Sequence, residues 1–226
     1  MTATSAPTIA AFDLDGTLTE GGSVFRWLRA VGGTSRAFRA ALARTIPLSW
    51  GVLRSGSAAD SAKESLFRGV LAGRPVDEVT AASKAFAHAH LASRGRPTTL
   101  ARLAWHLEQG HQVVLVSASP ELYVSEIAST LGAHGYIGTR LAVDPLNRLT
   151  GGYLGQNCRG EEKLRRLHEW MSTHGVSEDS EIYAYGNSRG DRRLLAGATH
   201  PFDVGKLGRW GALREYPRLP SAPASR

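Results

Sequence analysis

Two aspartates, Asp13 and Asp15, stand where a short apolar run stops, and Gly16 follows them at once. Paired carboxylates can divide a reaction between them: one attacks an electrophile or holds a metal, the other moves a proton. Alternate residues of a strand point to opposite faces, but a turn beginning at Gly16 can bring both carboxylates to one crevice. Taken alone, Asp-x-Asp-Gly is explained equally well by turn-forming residues after a strand. The other chemistry-bearing residue types add little. The single cysteine, Cys158, has no neighbouring histidine, reads as inert, and excludes both an intramolecular disulfide and a Cys-rich zinc site. His88 and His90 fall two apart in a segment of helical spacing, so they point away from each other, and the eight histidines show no ligand spacing.

The elements around these residues read as a layered α/β protein. Thr8 to Phe12 is a buried-strand pattern that delivers Asp13 and Asp15 at its carboxyl end. Gln112 to Val116 runs into Ser117-Ala118-Ser119-Pro120, and Glu181 to Tyr185 runs into Gly186-Asn187-Ser188-Arg189-Gly190-Asp191. Helical patterns follow at Glu121 to Leu131 and Arg192 to Ala196. Strands alternating with helices, each strand ending in polar residues, predict an open, Rossmann-like parallel sheet with its site at the strands' carboxyl ends.

Between Thr19 and Arg96 no strand pattern occurs; Phe25, Leu28 and Ala30, then Val79, Ala82, Phe86 and His90, recur at helical spacing. This predicts an inserted helical cap of about 75 residues. The expected division is a core of residues 1–19 and 97–215, a cap of 20–96, and a disordered Pro/Ala/Ser-rich tail of 216–226. Tyr136 to Val143 and Leu149 to Leu154, on either side of Asp144-Pro145-Leu146-Asn147-Arg148, predict a hairpin. A helix from Lys163 to His174 and a last strand from His200 to Val204 complete the expected core.

With 42% hydrophobic and 21% charged residues, the 226-residue chain can bury a core and is not a disordered segment. Its net charge of +7 comes mainly from arginine, since only Lys63, Lys84, Lys163 and Lys206 are lysines. That balance calls for an anionic partner: phosphorylated substrate, acidic membrane surface or nucleic acid. No nucleic-acid-reading module accompanies the charge, so nucleic acid is the weakest of the three. The N-terminus lacks the charged and apolar regions of a signal peptide and no apolar run is long enough to span a bilayer, so the expected location is the cytoplasm. The oligomeric state is left open.

Asp-Leu-Asp-Gly-Thr-Leu-Thr at 13–19 resembles motif I of the haloacid dehalogenase (HAD) superfamily of phosphohydrolases. Val-Leu-Val-Ser-Ala-Ser-Pro at 114–120 is similar to its motif II, and Lys163 falls where motif III places a lysine. Gly-Asn-Ser-Arg-Gly-Asp at 186–191 is similar to motif IV, usually Gly-Asp-x-x-x-Asp. Four motifs in the right order cover most of the chain outside the cap. A helical cap between motifs I and II most resembles the phosphoserine-phosphatase-like branch.

The resemblance implies a magnesium-dependent phosphomonoester hydrolase. Asp13 would attack phosphorus and form an aspartyl-phosphate, and Asp15 would serve as general acid and base. Ser117 would donate to a phosphoryl oxygen while Lys163 balances charge. Gly16, Thr17, Ala118 and Arg189 are the expected substrate contacts, partly through backbone N–H groups. Magnesium would take the Asp13 carboxylate, the Asp15 main-chain oxygen, and either Asn187 or Asp191. Asn187 departs from the motif: an amide can coordinate but brings no charge. Ser119 reads as the N-cap of the helix that follows, and Arg159 as a solvated surface arginine.

The cap carries the expected specificity signal. From Gly21 to Ala59 lie Arg26, Arg29, Arg36, Arg39, Arg44 and Arg54 with no acidic residue, interleaved with Phe25, Trp27, Phe38, Leu42, Ile46, Leu48, Trp50 and Leu53. Such a segment either packs on the core as an amphipathic insertion or meets anionic lipid or a large phosphorylated substrate. Gly22 stands where phosphoserine phosphatases carry a glutamate for the substrate amine, and the sequence after motif I looks closer to bacterial phosphatidylglycerophosphate phosphatases. The expected substrate is therefore a bulky or lipid-linked monoester, with peripheral contact to an anionic membrane. The alternatives are a phosphatase of phosphoserine or another small metabolite, phosphotransfer to an acceptor other than water, and a catalytically weak domain that binds anionic ligands or a membrane surface.

Overall fold

The computed structural model describes residues 7–33, 56–207 and 210–219. Its centre is a five-stranded parallel sheet made of β1 (Ile9–Phe12), β2 (Gln112–Pro120), β3 (Gly135–Thr139), β6 (Ile182–Gly186) and β7 (His200–Asp203), in the order β3-β2-β1-β6-β7. Every residue of β1 is fully buried, as the central strand of a sheet covered on both faces must be. Alternation splits the strand residues between two cores: Ala10, Phe12, Val113 and Leu115 face one side, Ile9, Ala11, Val114 and Val116 the other. Phe12 pairs with Leu115 on one neighbour and Tyr185 on the other. Asp13, Ser117 and Asn187 therefore leave the sheet at the same edge.

The inserted segment is helical where it is described: α1 (Val24–Gly32), α2 (Gly56–Leu71) and α3 (Val76–Arg94). Among the described residues, these helices share the apolar core of the sheet. Trp27, Phe67, Val79 and Ala87 join the apolar cluster that holds Phe12 and Tyr123. Trp27 is fully buried and donates its indole N–H to Ser83 Oγ at 2.8 Å. The insertion's two ends are clasped together: Glu20 N–H bonds Arg94 O at 2.7 Å and Arg96 N–H bonds Leu18 O at 2.9 Å.

The expected hairpin divides in two. Gly135–Thr139 joins the main sheet as an edge strand parallel to β2, and only β4 (Leu141–Val143) turns back on β5 (Leu149–Tyr153). Ile137 and Thr139 are buried on the sheet, whereas Arg140 is exposed and marks the break. Between Arg96 and β2 lies α4 (Pro97–Glu108), which the sequence reading did not single out although Pro97 opens its first turn. Helices α5 (Glu121–Thr130), α6 (Glu161–Thr173) and α7 (Arg192–Ala196) complete the fold. The tail expected to be disordered is held at its start: Asp203 N–H bonds Pro217 O at 2.8 Å and Arg218 pairs with Asp203 at 3.0 Å. Burying Asp203 requires that partner. Residues 220–226 lie outside the described residues. Among the described residues, no helix is long and apolar enough to cross a membrane.

Candidate active site

Asp13 hangs from the end of the central strand, where its N–H still bonds Tyr185 O at 3.0 Å. Its side chain is gripped on both oxygens: Lys163 Nζ donates to Oδ1 at 2.6 Å and Thr17 Oγ1 to Oδ2 at 2.9 Å. Lys163 lies in the first turn of α6, almost wholly buried, and donates also to Asp191 Oδ1 at 2.6 Å. Asp191 Oδ2 accepts from Asn187 N–H at 3.1 Å, Ser188 N–H at 3.0 Å and Ser188 Oγ at 2.8 Å. This carboxylate is spent on bracing the β6–α7 loop and holding the lysine. Gly160 N–H bonds Gly190 O at 2.9 Å, which ties the start of α6 to the same loop.

Asp15 is held on the insertion side. Its Oδ1 accepts from Ser23 N–H at 2.9 Å, and its Oδ2 accepts from Ser23 Oγ at 2.9 Å and Ser119 Oγ at 2.7 Å. Tyr123 Oη lies 2.6 Å from Ser23 Oγ, so a buried hydroxyl chain backs the carboxylate. Ser119 thus corrects its expected part: Pro120 precedes α5 without a side-chain cap, and the Ser119 hydroxyl holds Asp15 instead. Ser117 Oγ accepts from Ser119 N–H at 3.1 Å, which leaves its own proton for another acceptor. The Ala118 carbonyl accepts from Thr139 Oγ1 at 2.7 Å and from Lys63 Nζ at 2.5 Å.

Gly16 adopts φ +83°, and a Cβ there would lie 1.9 Å from Asn187 Nδ2. Only glycine lets the Asn187 amide close over the turn after Asp13. The Gly16 N–H, expected as a phosphate donor, is committed to Thr19 O at 2.8 Å. The Gly16 carbonyl is clamped by Arg96, which also donates to Val204 O at 3.0 Å. Arg189 is exposed and lines a cavity of about 480 Å³ with Gly16, Arg96, Asn187, Ser188 and Lys206. Arg159 is not a freely solvated arginine: its stem covers Gly190 and its guanidinium lies 3.8 Å from Asp60.

Burial and the nearby Asp191 carboxylate raise Asp13 to about 7 against the pull of Lys163. Burial opposes the charge on Lys163, yet Asp13 and Asp191 hold it well above the ordinary lysine value. Asp13 and Asp191 share this one ammonium, and Asp15 adds a third negative charge that acts on Asp13, an arrangement that favours an added cation before any anion enters. No three His, Cys, Asp or Glu side chains converge as a metal cluster among the described residues. The donors on offer are one carboxylate, a main-chain carbonyl and the Asn187 amide, whose Oδ1 lies 3.5 Å from the Thr17 hydroxyl that also binds Asp13. This all-oxygen set suits a hard ion such as magnesium that keeps several waters.

Sequence reasoning missed Ser23, Tyr123, Lys63, Asn157 and Thr139. Ser23 carried a signal, since a serine before a helix reads as an N-cap, but here its hydroxyl binds Asp15 and makes no cap bond. The others belong to elements far apart in sequence, and no local pattern marks them. Arg36, Arg39, Arg44 and Arg54, with Phe38, Leu42, Ile46, Leu48, Trp50 and Leu53, lie outside the described residues. Glu20 pairs with Lys206 at 3.1 Å at the rim of the cavity that Arg189 lines, and Glu64 accepts from Tyr153 N–H at 3.4 Å.

Residues 10–196 match the family model for haloacid dehalogenase-like hydrolases. The chain belongs to that family. This hydrolase is 33% identical to Protein CicA of Caulobacter vibrioides over 190 residues, covering 84% of this chain and 82% of that one. It is 29% identical to histidinol-phosphatase of Neisseria meningitidis over 101 residues, covering 44% and 46% of the two chains. A Bordetella pertussis protein of unknown function superposes with a TM-score of 0.77 at 24% identity, over 96% of this chain and 99% of that one. A phosphoserine phosphatase, solved as a phospho-aspartyl intermediate analogue, superposes at 0.59 with 19% identity over 88% and 87%. These structures share the fold expected from the sequence. The relatives here that are named for an activity are phosphatases, in agreement with the expected enzyme class.

Proposed function

We propose that this haloacid dehalogenase-like hydrolase cleaves phosphomonoesters through an aspartyl-phosphate on Asp13. The observation that carries the reading is the pair of grips on Asp13, with Lys163 on one oxygen and Thr17 on the other. They fix the carboxylate plane at the mouth of the sheet, so that in-line attack on phosphorus needs little reorganisation. Lys163 offsets charge on the attacking group and the transferring oxygens while Asp191 keeps it in place. Ser117 donates its free proton to a phosphoryl oxygen. Asp15 protonates the leaving oxygen and then takes a proton from the water that cleaves the acyl phosphate; Ser23 and Ser119 aim it.

Asp13, the Asp15 main-chain oxygen and the Asn187 amide would hold magnesium, which lowers the repulsion between the carboxylate and a dianionic ester. Asp191 is left out of this set because its Oδ2 already accepts three hydrogen bonds and its Oδ1 a fourth, whereas each oxygen of Asp13 accepts one. The substrate is a phosphorylated small molecule. The expected bulky or lipid-linked substrate leans mostly on residues 34–55, outside the described residues; of the rest, Trp27 is buried while Phe25, Arg26 and Arg29 are exposed. A panel of phosphomonoesters with and without magnesium tests the reading. Phosphate release that needs magnesium and is lost in Asp13→Asn is expected. Release by Asp13→Asn at the parent rate overturns the aspartyl-phosphate route.

A further inference from the structure

Lys63, on α2, is a half-buried cation that the chemistry above leaves unused. Its Nζ donates to Ala118 O at 2.5 Å and to Asn157 Oδ1 at 3.0 Å, both neutral acceptors. The other three lysines pair with carboxylates: Lys84 with Glu126, Lys163 with Asp13 and Asp191, Lys206 with Glu20. Asp60, one turn earlier on the same helix, turns instead to Asn157 Nδ2 at 2.6 Å. That bond orients the Asn157 amide so that its oxygen faces Lys63. The Phe67 ring lies 5.6 Å from Nζ, one turn later on the helix. Burial lowers Lys63 to about 8 even though Asp60 and Asp15 work the other way.

An ammonium has three protons, and two here are spent on the protein. Neutral acceptors do not offset the desolvation of a charge as a carboxylate or phosphate does. Among the described residues, the position is therefore one anion short. It is also next to the chemistry: Ala118, whose carbonyl Lys63 grips, separates Ser117, a phosphate donor, from Ser119, which holds the proton donor Asp15. A group attached to the leaving oxygen must pass on the Asp15 side, where Lys63 comes down from the insertion.

We infer that Lys63 is a specificity-determining residue that binds an anionic group, a carboxylate or a second phosphate, carried on the leaving side of the substrate. This rests on the phosphomonoesterase reading above, which seats the phosphate at Asp13 and Ser117. The test is calorimetric binding to full-length Asp13→Asn protein with magnesium present, so that turnover plays no part. The probes are ethyl phosphate, phosphoglycolate and ethane-1,2-diol bisphosphate; the last two separate a carboxylate from a second phosphate. At least one of them is expected to bind tenfold or more tightly than ethyl phosphate. Lys63→Met in the same background erases that preference and Lys63→Arg restores it. Lys63→Gln keeps hydrogen-bonding capacity without charge and serves where melting shows Lys63→Met to be unfolded. Equal binding of the three probes, or a preference that survives in a folded Met or Gln variant, overturns the assignment. Loss of phosphate release by the parent enzyme would instead count against the hydrolase reading, which this binding comparison does not measure.

Discussion

At the scale of single residues, the site depends on how two similar carboxylates are made different. Asp13 is gripped by an ammonium and a hydroxyl, Asp15 by two serines and, through them, a tyrosine. Asp15→Asn is expected to slow hydrolysis of an alkyl phosphate by about 10²–10⁴-fold, and of p-nitrophenyl phosphate much less, because a good leaving group needs little protonation. Equal losses on the two substrates would contradict the acid role. Ser119→Ala removes one of three donors to Asp15, so the same leaving-group bias should appear in weaker form, by about tenfold. Asn187→Asp adds a charge to the proposed ion site. Half-maximal activity should then need less magnesium, and an unchanged titration would remove Asn187 from the ion's ligands.

At the scale of elements, the insertion is fastened to the core by close backbone approach as well as by apolar packing. Gly151 on β5, at φ +78°, lies so near α2 that a Cβ would sit 2.3 Å from Arg68 Cα. Gly151→Ala must push the helix away from the hairpin, at a cost of about 1–3 kcal/mol, readable by urea unfolding. A cost below a few tenths would mean that the contact yields easily. The insertion itself was legible from the 3.6-residue spacing of Val79, Ala82, Phe86 and His90. The fate of residues 135–143 was not. The run looks alike whether it pairs with β2 or turns back on itself, and only its packing beside Val114 and Val116 selects the parallel partner.

At the scale of the whole molecule, stability couples to pH through a buried histidine behind the sheet. His106 is fully buried, its Nε2 lies 2.8 Å from Tyr185 Oη and its Nδ1 2.7 Å from His111 Nδ1. Burial, with His111 and Arg102 adding to it, lowers His106 to about 3 from an ordinary 6.5. Between those values the unfolded chain binds a proton that the folded chain refuses, so folding stability falls as pH drops from 6.5 towards 3. Asp13, raised by burial to about 7 from 3.8, acts with the opposite sign across that window. Comparing the parent with His106→Gln isolates the histidine: the parent should lose more stability on acidification than the variant. Parallel pH profiles would refute the coupling.

The sequence by itself determined the parallel sheet, the inserted helices and the family, and it named the candidate residues that the fold gathers around Asp13. Strand ends, turn glycines and apolar spacing are local properties; three of the four motifs sit at strand ends and Lys163 at the start of a helix. Tertiary structure alone decided the division of labour around them. Ser119 reads as a cap until the insertion brings Ser23 beside it and the turn after β1 brings Asp15, which becomes its partner. Asp191 and Asn187 look alike in the sequence; in the fold Asp191 braces the loop through Asn187 N–H and Ser188 and holds Lys163, 28 residues away, while the Asn187 amide closes over Gly16. Lys63 has no local mark at all; its meaning comes from the Ala118 carbonyl and the Asn157 amide, 55 and 94 residues distant. Burial is the physical reason. A polar group's role is fixed by which partners remain once water is excluded, and those partners come from chain segments that meet only in the fold.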